Sequence, residues 1–376
     1  MQKYLNKPVT IFWLIYKSNK GNIFFKTVLS FASLFYFLAY KIRLSLYKLN
    51  ILKKQNISAI VISIGNISSG GTGKTPLTID IAKYFLKEGY KVAVLSRGYK
   101  RKISSKQTDA PILVSDGQEI ITDYEVSGDE PYLIAKKVPK AMVLVNKNRY
   151  RAGLSAIKLG AEILILDDGY QHIQFNRNEN ILLLDSYNPF DNGYLLPRGK
   201  LRELPDSIKR ATAIVLSNSD KSILQENDLA KINHFRAAKP VISMKYKVKR
   251  FTALNLKKTI TTEEAKGLKV IAFCGIGNPQ SFLDTLKENK LNIVNFMTFE
   301  DHHYYSYDDI KQIIQSASNH KIENIVTTEK DAIKIETLCE AAPVTFWATE
   351  IEISWDVPNP YEILFANKSS WRKKIN

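Results

Sequence analysis

The sequence predicts an α/β fold in which helices cover parallel β-strands. Two observations predict it: short apolar runs alternate with helical stretches, and a glycine-rich segment joins one run to a helix. Such alternation is typical of parallel sheets, because each crossover between parallel strands needs a helix-length connection. The strand-like runs are Ala59–Ile64, Val92–Ser96, Met142–Val145, Ile163–Leu166, Ile181–Leu184, Ala213–Leu216, Val270–Cys274, Ile293–Phe299 and Asn324–Thr327.

Length and composition limit the class of protein. The 376 residues are enough for two ordinary domains, and an apolar content of 45% is too low for a polytopic membrane protein. The net charge of +17 attracts phosphate groups on nucleic acid, anionic lipid or nucleotide, unless the lysine excess only reflects the source genome. Cys274 and Cys339 lie far apart in apolar surroundings, so neither a disulfide framework nor a zinc site is predicted, which fits a reducing compartment.

Residues 9–47 form a compositional block of their own, rich in Phe, Tyr, Leu and Ile. The uncharged stretch Thr27–Tyr40 has 14 residues, fewer than the roughly 17–25 that span a bilayer. An apolar, aromatic helix with basic flanks is typical of one that lies in the membrane interface. The alternative is a helix packed on the domain core, and the two can coexist; a cleavable signal peptide is disfavoured, since no small-residue cleavage pattern follows Ala39. A thin polar stripe at helical spacing consists of Lys26, Ser30, Ser33 and Lys41.

The glycine-rich segment follows the first apolar run and precedes a helical stretch, which is the context of a P-loop. Its N–H groups and the helix N-terminus would surround phosphate oxygens, Lys74 would reach the β- and γ-phosphates, and the Thr75 hydroxyl would bind Mg²⁺. Ser68 stands where the P-loop pattern has its first glycine, so Gly70 and Gly71 would supply the flexibility. The chain is therefore predicted to be P-loop NTPase-like. The predicted nucleotide-binding residues are Ser68, Ser69, Gly70, Gly71, Thr72, Gly73, Lys74 and Thr75.

Further motifs decide the class of reaction. They are Ser96–Tyr99 (SRGY), Gly128–Pro131 (GDEP), Asp167–His172 (DDGYQH), Leu196–Gly199 (LPRG), Leu201–Glu203 (LRE), Phe273–Pro279 (FCGIGNP), Asp301–Tyr305 (DHHYY) and Thr327–Asp331 (TTEKD). In this order the set resembles the tetraacyldisaccharide 4'-kinase family, the lipid A kinases, from about Ile60 to Leu338. GGTGKTP alone is shared with many NTPases, whereas its combination with the other motifs is highly specific.

The resemblance implies a reaction and a location. With Mg²⁺ as cofactor, the γ-phosphate of ATP passes to the 4'-hydroxyl of a tetraacylated glucosamine disaccharide 1-phosphate, giving lipid IV-A at the cytoplasmic face of the bacterial inner membrane. The expected partners are this lipid and the anionic membrane surface, whereas no recognised nucleic-acid module occurs in the sequence. The resemblance also implies two α/β/α lobes around a cleft. The expected divisions are a membrane-associating helical segment (1–48), a P-loop lobe (49–240), an extended linker (241–267) and a second α/β lobe with the C-terminal segment (268–376).

The sugar hydroxyl must lose its proton during transfer, and a carboxylate oriented by a histidine can accept it. In the family this pair is the Asp of the GDEP motif and the His of the DH motif. Here these match Asp129 and His302, and the adjacent His303 leaves the choice of histidine open. Asp129, His302 and Lys74 are therefore the predicted catalytic residues.

Carboxylates that follow an apolar strand are expected to hold the metal. Asp167 and Asp168 take the Walker-B position, Glu130 lies beside the predicted base, and Thr75 completes the predicted metal-binding set. Either aspartate alone is open to another interpretation, as a helix cap or a turn residue.

Other motif residues are expected near the substrate. The predicted substrate-binding residues are Arg97, Gln171, His172, Arg202 and Glu203. Two alternatives stay open: Arg97 binds substrate phosphate or pairs with a carboxylate, and Thr328–Asp331 contacts the nucleotide or caps a helix.

A different class of function is also compatible with the P-loop, namely a membrane-associated NTPase switch that acts on a protein partner. A switch needs only a residue that positions water, whereas a kinase needs a base that faces a substrate pocket. The GDEP and DHH motifs favour the kinase.

Overall fold

A computed structural model describes residues 23–98, 110–219, 224–256, 258–366 and 368–371. The predicted apolar segments before residue 23, together with Tyr99, lie outside the described residues. The strands are β1 Ile60–Gly65, β2 Val92–Ser96, β3 Ile112–Asp116, β4 Met142–Val145, β5 Ile163–Leu166, β6 Glu179–Asp185, β7 Ala213–Ser217, β8 Val241–Ala253, β9 Thr259–Ile260, β10 Lys269–Cys274, β11 Asn292–Thr298, β12 Asn324–Thr328 and β13 Thr345–Trp355.

Helices lie between these strands. They are α1 Ile23–Lys48, α2 Lys74–Lys87, α3 Tyr124–Ser127, α4 Asp129–Lys137, α5 Arg149–Lys158, α6 Glu226–Arg236, α7 Pro279–Glu288, α8 Tyr307–Asn319, α9 Glu329–Ile335 and α10 Pro360–Leu364. Two 3₁₀ helices cover Pro205–Arg210 and Lys368–Ser370.

The P-loop strand β1 lies near the centre of the first half of the sheet. It pairs in parallel with β5 on one side and β6 on the other, and all of its residues are buried. The parallel order β7-β6-β1-β5-β2-β4 brings the carboxyl ends of these strands to one edge. Ligands of open α/β sheets bind at that edge, and the predicted P-loop and DDGYQH motifs both leave from it.

Strand β8 joins the two halves into one sheet. Its first residues pair in parallel with β7, from Ile214↔Val241 to Leu216↔Ser243, and the rest pair antiparallel with β13. Its sequence alternates apolar with basic residues, which suits an extended strand with two different faces. The remaining strands follow in the order β11-β10-β12-β13.

The structure contains strands that the sequence pattern did not predict, among them β3 and β13. In β13 polar residues interrupt the apolar ones, so no continuous apolar run marks it. Its pairing with β12 in parallel and with β8 antiparallel makes the sheet mixed rather than purely parallel.

The segment after β13 returns to the first half and packs on α2. Tyr361 stacks on Tyr84 with ring centroids 3.9 Å apart, and Phe365 lies against Phe85 at 4.9 Å. The Tyr361 hydroxyl also donates a hydrogen bond to Asp80 Oδ2 at 2.7 Å. The helix that begins at the P-loop is therefore covered by residues from the far end of the chain.

Replacing Phe365 tests this packing. Phe365 is 2% exposed, and deleting a buried ring typically costs about 3–5 kcal/mol, so Phe365→Ala should lower the midpoint of urea unfolding clearly. The matched control is Ile363→Ala in the adjacent helix α10, since Ile363 is 37% exposed and should change the midpoint little. Equal midpoints for both variants would show that the segment does not stabilise α2.

Candidate active site

The P-loop connects β1 to α2 through a turn that only glycine tolerates at its end. Gly73 caps α2 with φ of 86°, in the left-handed region. A Cβ there would lie 1.6 Å from the hydroxyl oxygen of Tyr246. That hydroxyl lies 3.2 Å from the Thr72 carbonyl and 3.3 Å from the Gly73 carbonyl. Because Tyr246 belongs to β8, this strand contacts the end of the P-loop.

The segment 195–203 supports the other side of the P-loop. Ser69 N donates to the Lys200 carbonyl at 2.7 Å, and Ser68 forms an isolated bridge with Leu201. Ser68 therefore takes part in backbone pairing at the position where the pattern expects glycine. Gly70 and Gly71 are exposed, and nothing lies within 4 Å of a Cβ placed on either.

Asp167 and Asp168 follow β5, next to the P-loop. Asp167 is 2% exposed and accepts a hydrogen bond from Thr78 Oγ1 of α2 at 3.1 Å. Asp168 has φ of 50° and pairs with Lys74 Nζ at 3.7 Å and with Arg202 Nη1 at 2.8 Å. The two predicted aspartates thus contact two different elements of the nucleotide site.

The environments of Asp167 and Asp168 shift the pKa values of their carboxyl groups in opposite directions. Burial raises the pKa of Asp167 to about 7, and the negative charges of Glu130 and Asp168 act in the same direction. Burial also disfavours the charged form of Asp168, but the charges of Lys74 and Arg202 outweigh it and hold the pKa of Asp168 below its usual range. The charge of Lys74 acts in the opposite direction but does not outweigh burial, so Asp167 is a buried carboxylate whose ionised form a bound cation would stabilise.

The predicted acid–base pair is assembled from both halves of the protein. Asp129 is the first residue of α4, and His302 lies in the loop after β11 with φ of 62°. His302 Nδ1 is 2.7 Å from Asp129 Oδ2, and both side chains are less than 10% exposed. Asp129 Oδ1 accepts a hydrogen bond from the Glu130 backbone N–H at 3.0 Å. The neighbouring His303 instead contacts Asp309, at 3.1 Å.

Burial alone would raise the pKa of Asp129. The hydrogen bond from His302 and the charges of Lys330 and His302 outweigh burial, so the pKa of the Asp129 carboxyl lies below its usual range. Asp129 is therefore ionised at neutral pH and favours the tautomer of His302 that carries its proton on Nδ1.

A lysine that sequence reasoning did not single out lies beside this pair. Lys330, near the start of α9, places Nζ 3.2 Å from His302 Nε2 and 3.4 Å from Glu130 Oε1. Glu130 in turn acts on Asp167 electrostatically. Glu130 therefore connects the acid–base pair to the carboxylates beside the P-loop.

The predicted substrate-binding residues fall into different environments. Gln171 Nε2 donates to the Asn66 carbonyl at 2.8 Å, and Arg202 pairs with Asp168, so both border the P-loop. Arg97 is exposed just after β2, and its charge helps to lower the pKa values of nearby His172 and Arg149.

His172 and Glu203 are less exposed to solvent than Arg97. Burial lowers the pKa of His172 to about 3, and neighbouring guanidinium groups add to this, so His172 is neutral at pH 7. Glu203 is 1% exposed, pairs with Arg210 Nη2 at 2.6 Å and accepts from the Tyr40 hydroxyl at 3.2 Å. Glu203 thus points into the packing between α1 and the 3₁₀ helix Pro205–Arg210, and its role toward substrate stays a prediction.

Thr328–Asp331 caps a helix, one of the two alternatives for this segment. The Thr328 hydroxyl accepts from the Asp331 backbone N–H at 3.1 Å. Asp331 is fully buried and binds the Gly275 N–H and the Lys334 ammonium, both at 2.9 Å. Lys330 lies between Thr328 and Asp331 in the first turn of α9, and its ammonium reaches the Asp129–His302 pair.

The described residues contain no group of three or more His, Cys, Asp or Glu side chains able to hold a metal ion unaided. Mg²⁺ is usually held by one or two carboxylates together with water and nucleotide phosphates rather than by a protein cage. Asp167 and Glu130, with the nearby hydroxyl-bearing Thr75, supply hard oxygen donors of this kind. The donor set therefore fits a magnesium ion bound together with a nucleotide.

Helix α1 packs on the segment that supports the P-loop. Ser33 Oγ donates to the Leu195 carbonyl at 2.7 Å, and the Tyr36 hydroxyl donates to the Arg202 carbonyl at 2.9 Å. Lys41 pairs with Asp206 at 3.0 Å. Its other face carries exposed apolar side chains, and its 26 residues are long and apolar enough to cross a membrane by length and composition.

These features are those of a P-loop kinase: a P-loop after the central strand, carboxylates at the same strand edge, and the Asp129–His302 pair between the two halves. The comparisons with known proteins identify the family. A family model described as Tetraacyldisaccharide-1-P 4'-kinase matches residues 25–367, and the chain belongs to this family.

Individual relatives support the same assignment. Tetraacyldisaccharide 4'-kinase of Halothermothrix orenii is 39% identical over 319 residues, which cover 82% of each chain. That of Syntrophus aciditrophicus is 36% identical over 340 residues, 88% of this chain and 90% of the relative. A crystal structure of LpxK from Aquifex aeolicus in complex with ATP has a TM-score of 0.74 and 31% identity, covering 91% of this chain and 99% of that one.

These findings confirm the family resemblance, the P-loop α/β fold class and the prediction of a kinase. The alternative of an NTPase switch acting on a protein partner is not favoured, because the matched relatives carry the kinase name over most of their length.

Tyr246 offers a test of how the P-loop is held. Tyr246→Phe removes a hydroxyl that contacts the loop carbonyls, and one such hydrogen bond is worth about 1 kcal/mol. The dissociation constant for ATP, measured by calorimetry, should therefore rise about fivefold. Tyr187→Phe is the control, since Tyr187 is 72% exposed and should leave ATP affinity unchanged; equal affinities for both variants would exclude support from β8.

Proposed function

We propose that this protein transfers the γ-phosphate of ATP to the 4'-hydroxyl of tetraacyldisaccharide 1-phosphate, forming lipid IV-A. The observation that carries the proposal is the hydrogen-bonded pair of Asp129 and His302, which approach each other from opposite halves of the protein. An NTPase that only hydrolyses its nucleotide has no need of a second half that delivers a base. A kinase with a sugar acceptor does, because the attacking hydroxyl must lose a proton.

For the proton transfer we propose His302 Nε2 as the acceptor, whereas the family motifs imply Asp129 in that role. Both carboxylate oxygens of Asp129 already accept hydrogen bonds, one from His302 and one from the Glu130 N–H. Its pKa also lies below the usual range. Asp129 then orients the imidazole and stabilises the imidazolium that forms, as a buried carboxylate does in other acid–base pairs.

The phosphates would lie along the P-loop. Lys74 and the backbone N–H groups of residues 68–73 would bind them, and Arg202, which Asp168 holds beside Lys74, would face the same charge. Bound Mg²⁺ would neutralise charge on the phosphate oxygens, held by Thr75 and Asp167 with Glu130 nearby. Gln171 fixes the start of the loop through the Asn66 carbonyl.

The reaction balances without any further reagent. A bond forms between the sugar 4'-oxygen and the γ-phosphorus, while the bond from that phosphorus to the β–γ bridging oxygen breaks. ADP leaves with the electron pair, and the hydroxyl proton passes to His302 Nε2. Phosphoryl transfer of this kind depends mainly on positioning and charge neutralisation.

Helix α1 would place the site at a membrane surface. Its polar side is bound to the protein through Ser33, Tyr36 and Lys41. A helix tied along one side presents the other side to the surface, so it would lie in the interface rather than cross the bilayer. The exposed apolar side chains are Ile23, Phe24, Val28, Phe31, Leu34, Phe35, Leu38 and Ile42.

The net charge of +17 fits a surface of anionic lipid. Since the substrate is itself a lipid and ATP is soluble, the cytoplasmic face of the bacterial inner membrane is the location that gives access to both. The lipid A pathway is then the context in which this kinase acts.

The decisive experiment incubates the purified protein with γ-labelled ATP, Mg²⁺ and tetraacyldisaccharide 1-phosphate in detergent micelles, and separates the labelled lipid. Asp129→Asn and His302→Ala should each lower kcat by about 10²–10⁴-fold with little change in ATP affinity. Because the two residues act as one unit, the double variant should be no slower than the slower single variant.

His303→Ala is the matched control, because His303 contacts Asp309 instead of Asp129; it should retain most of the activity. Additive losses in the double variant would place the base elsewhere. Absence of label in the lipid with the unmodified protein would refute the proposed reaction itself.

A second experiment tests the membrane role of α1. A triple variant in which serine replaces Phe31, Phe35 and Leu38 lacks side chains that are 61%, 71% and 46% exposed. Since burying such a side chain is worth about 1.5–3 kcal/mol, flotation with anionic liposomes should fall by about 100-fold or more. The control replaces Leu154, Leu159 and Leu229, which are exposed elsewhere; equal flotation of both triple variants would contradict the anchoring role.

A further inference from the structure

Lys330 is a partly buried cation beside the proposed acid–base pair, and it has no role in the steps described above. It follows β12 in the second half of the protein, and its side chain is 20% exposed. Its ammonium nitrogen faces the proton acceptor at 3.2 Å and three carboxylates of both halves. The carboxylate distances are 3.4 Å to Glu130, 3.8 Å to Asp129 and 3.9 Å to Asp301.

Holding the two halves together does not require this lysine. Lys136 and Lys137 of α4 already form ion pairs across the same interface, with Glu336 and Glu329 respectively. Lys137 also pairs with Glu350 at 3.0 Å. The position of Lys330 differs from theirs, because only its ammonium lies beside the imidazole nitrogen that would receive the proton.

Geometry places the transferred phosphoryl group within reach of Lys330. The attacking hydroxyl must come within about 3 Å of the base and within about 3.5 Å of the phosphorus. The phosphorus therefore lies within roughly 6–7 Å of His302 Nε2 during the reaction. A lysine whose ammonium is 3.2 Å from that nitrogen can contact the phosphoryl oxygens through a small rotation of its flexible stem.

Charge gives a reason for such a contact. Asp129, Glu130 and Asp301 surround the Lys330 ammonium, so a phosphoryl group within its reach would also approach three carboxylates, which would repel it. The Lys330 ammonium lies 3.4 Å from Glu130, 3.8 Å from Asp129 and 3.9 Å from Asp301, so its positive charge would offset that repulsion. The same rotation would uncover the lone pair of His302 Nε2.

We propose that Lys330 is the cation that the second half of the protein contributes to the phosphoryl group in transfer. This role of Lys330 rests on the proposed phosphotransfer to a sugar hydroxyl. In this role Lys330 moves from His302 Nε2 to the phosphoryl oxygens when ATP and the acceptor are bound, and it keeps its own proton throughout. It resembles the cationic finger that some P-loop enzymes receive from a second component, here supplied within the chain.

The test measures steady-state phosphorylation of the lipid by variants at this position. Lys330→Met should lower kcat by at least about 100-fold, while the dissociation constant for ATP changes less than about threefold, since the contact forms only during transfer. Lys330→Arg should recover part of the loss. Lys136→Met, which breaks an ion pair across the same interface far from His302, should keep kcat near that of the unmodified protein.

Chemical rescue separates charge from packing. Lys330→Cys should be as slow as Lys330→Met; alkylation with 2-bromoethylamine, which rebuilds an ammonium of similar length, should restore most of kcat. Alkylation with iodoacetamide, which adds a neutral group, should not. Cys274 and Cys339 are fully buried, and the unmodified protein treated in the same way controls for their reaction.

Two results would overturn the inference while leaving the proposed function intact. One is full lipid phosphorylation by Lys330→Met. The other is equal loss of kcat in Lys330→Met and Lys136→Met with equal loss of stability to urea, which would make Lys330 a structural ion pair. Failure of the unmodified protein to label the lipid would instead remove the proposed function.

Discussion

The active site depends on strand β8, which pairs with both halves of the sheet. Its first residues extend the P-loop half through β7, and its later residues carry β13 and the second half. Because a continuous hydrogen-bonded ladder fixes the direction of both halves, α4 and the loop after β11 meet at a defined distance. The 2.7 Å contact between Asp129 and His302 is a consequence of that pairing. Tyr246, in the same strand, touches the P-loop carbonyls, so one strand positions both the nucleotide loop and the base.

Burial of charge at the strand edge gives the site its chemistry. Asp167 and Asp168 are adjacent, yet burial and the charges of Glu130 and Asp168 raise the pKa of the first, whereas Lys74 and Arg202 hold the pKa of the second below its usual range. The first therefore suits a cation, and the second keeps two cations near the phosphates. Around His302 the pattern repeats, since Asp129 holds one ring nitrogen and Lys330 faces the other. The unmatched charges are those that a bound nucleotide and metal would balance.

The sequence predicted the parts of this site whose chemistry requires a local pattern. A P-loop needs glycines and a lysine between a strand and a helix, and the strands that frame it are continuous apolar runs, so both were predictable from spacing. Asp129 and His302 were predictable only through the family motifs, because nothing local indicates that residues so far apart meet. Lys330 is one of 54 lysines and arginines, and its position follows from a helix cap and the packing of two halves. The hydrogen bonds that the individual atoms of Asp129 and His302 make were not predictable either, since they depend on how the two halves pack.

Helix α1 and the P-loop both contact the segment 195–203, which would connect a helix at the membrane surface to the nucleotide site. The segment 195–203 contacts the P-loop on one side, through Ser69 and Lys200, and α1 on the other, through Ser33 and Leu195. Glu203 belongs to the same segment, and its burial against Tyr40 and Arg210 holds the helix in place. Glu203, predicted to bind substrate, thus also contacts α1 in this structure. Because the surface that would meet lipid and the loop that would hold ATP are fixed to the same backbone, a lipid hydroxyl that entered along α1 would take a defined position relative to a bound γ-phosphate. The reaction needs such a defined position, since phosphoryl transfer depends on the alignment of the attacking oxygen more than on any covalent help from the protein.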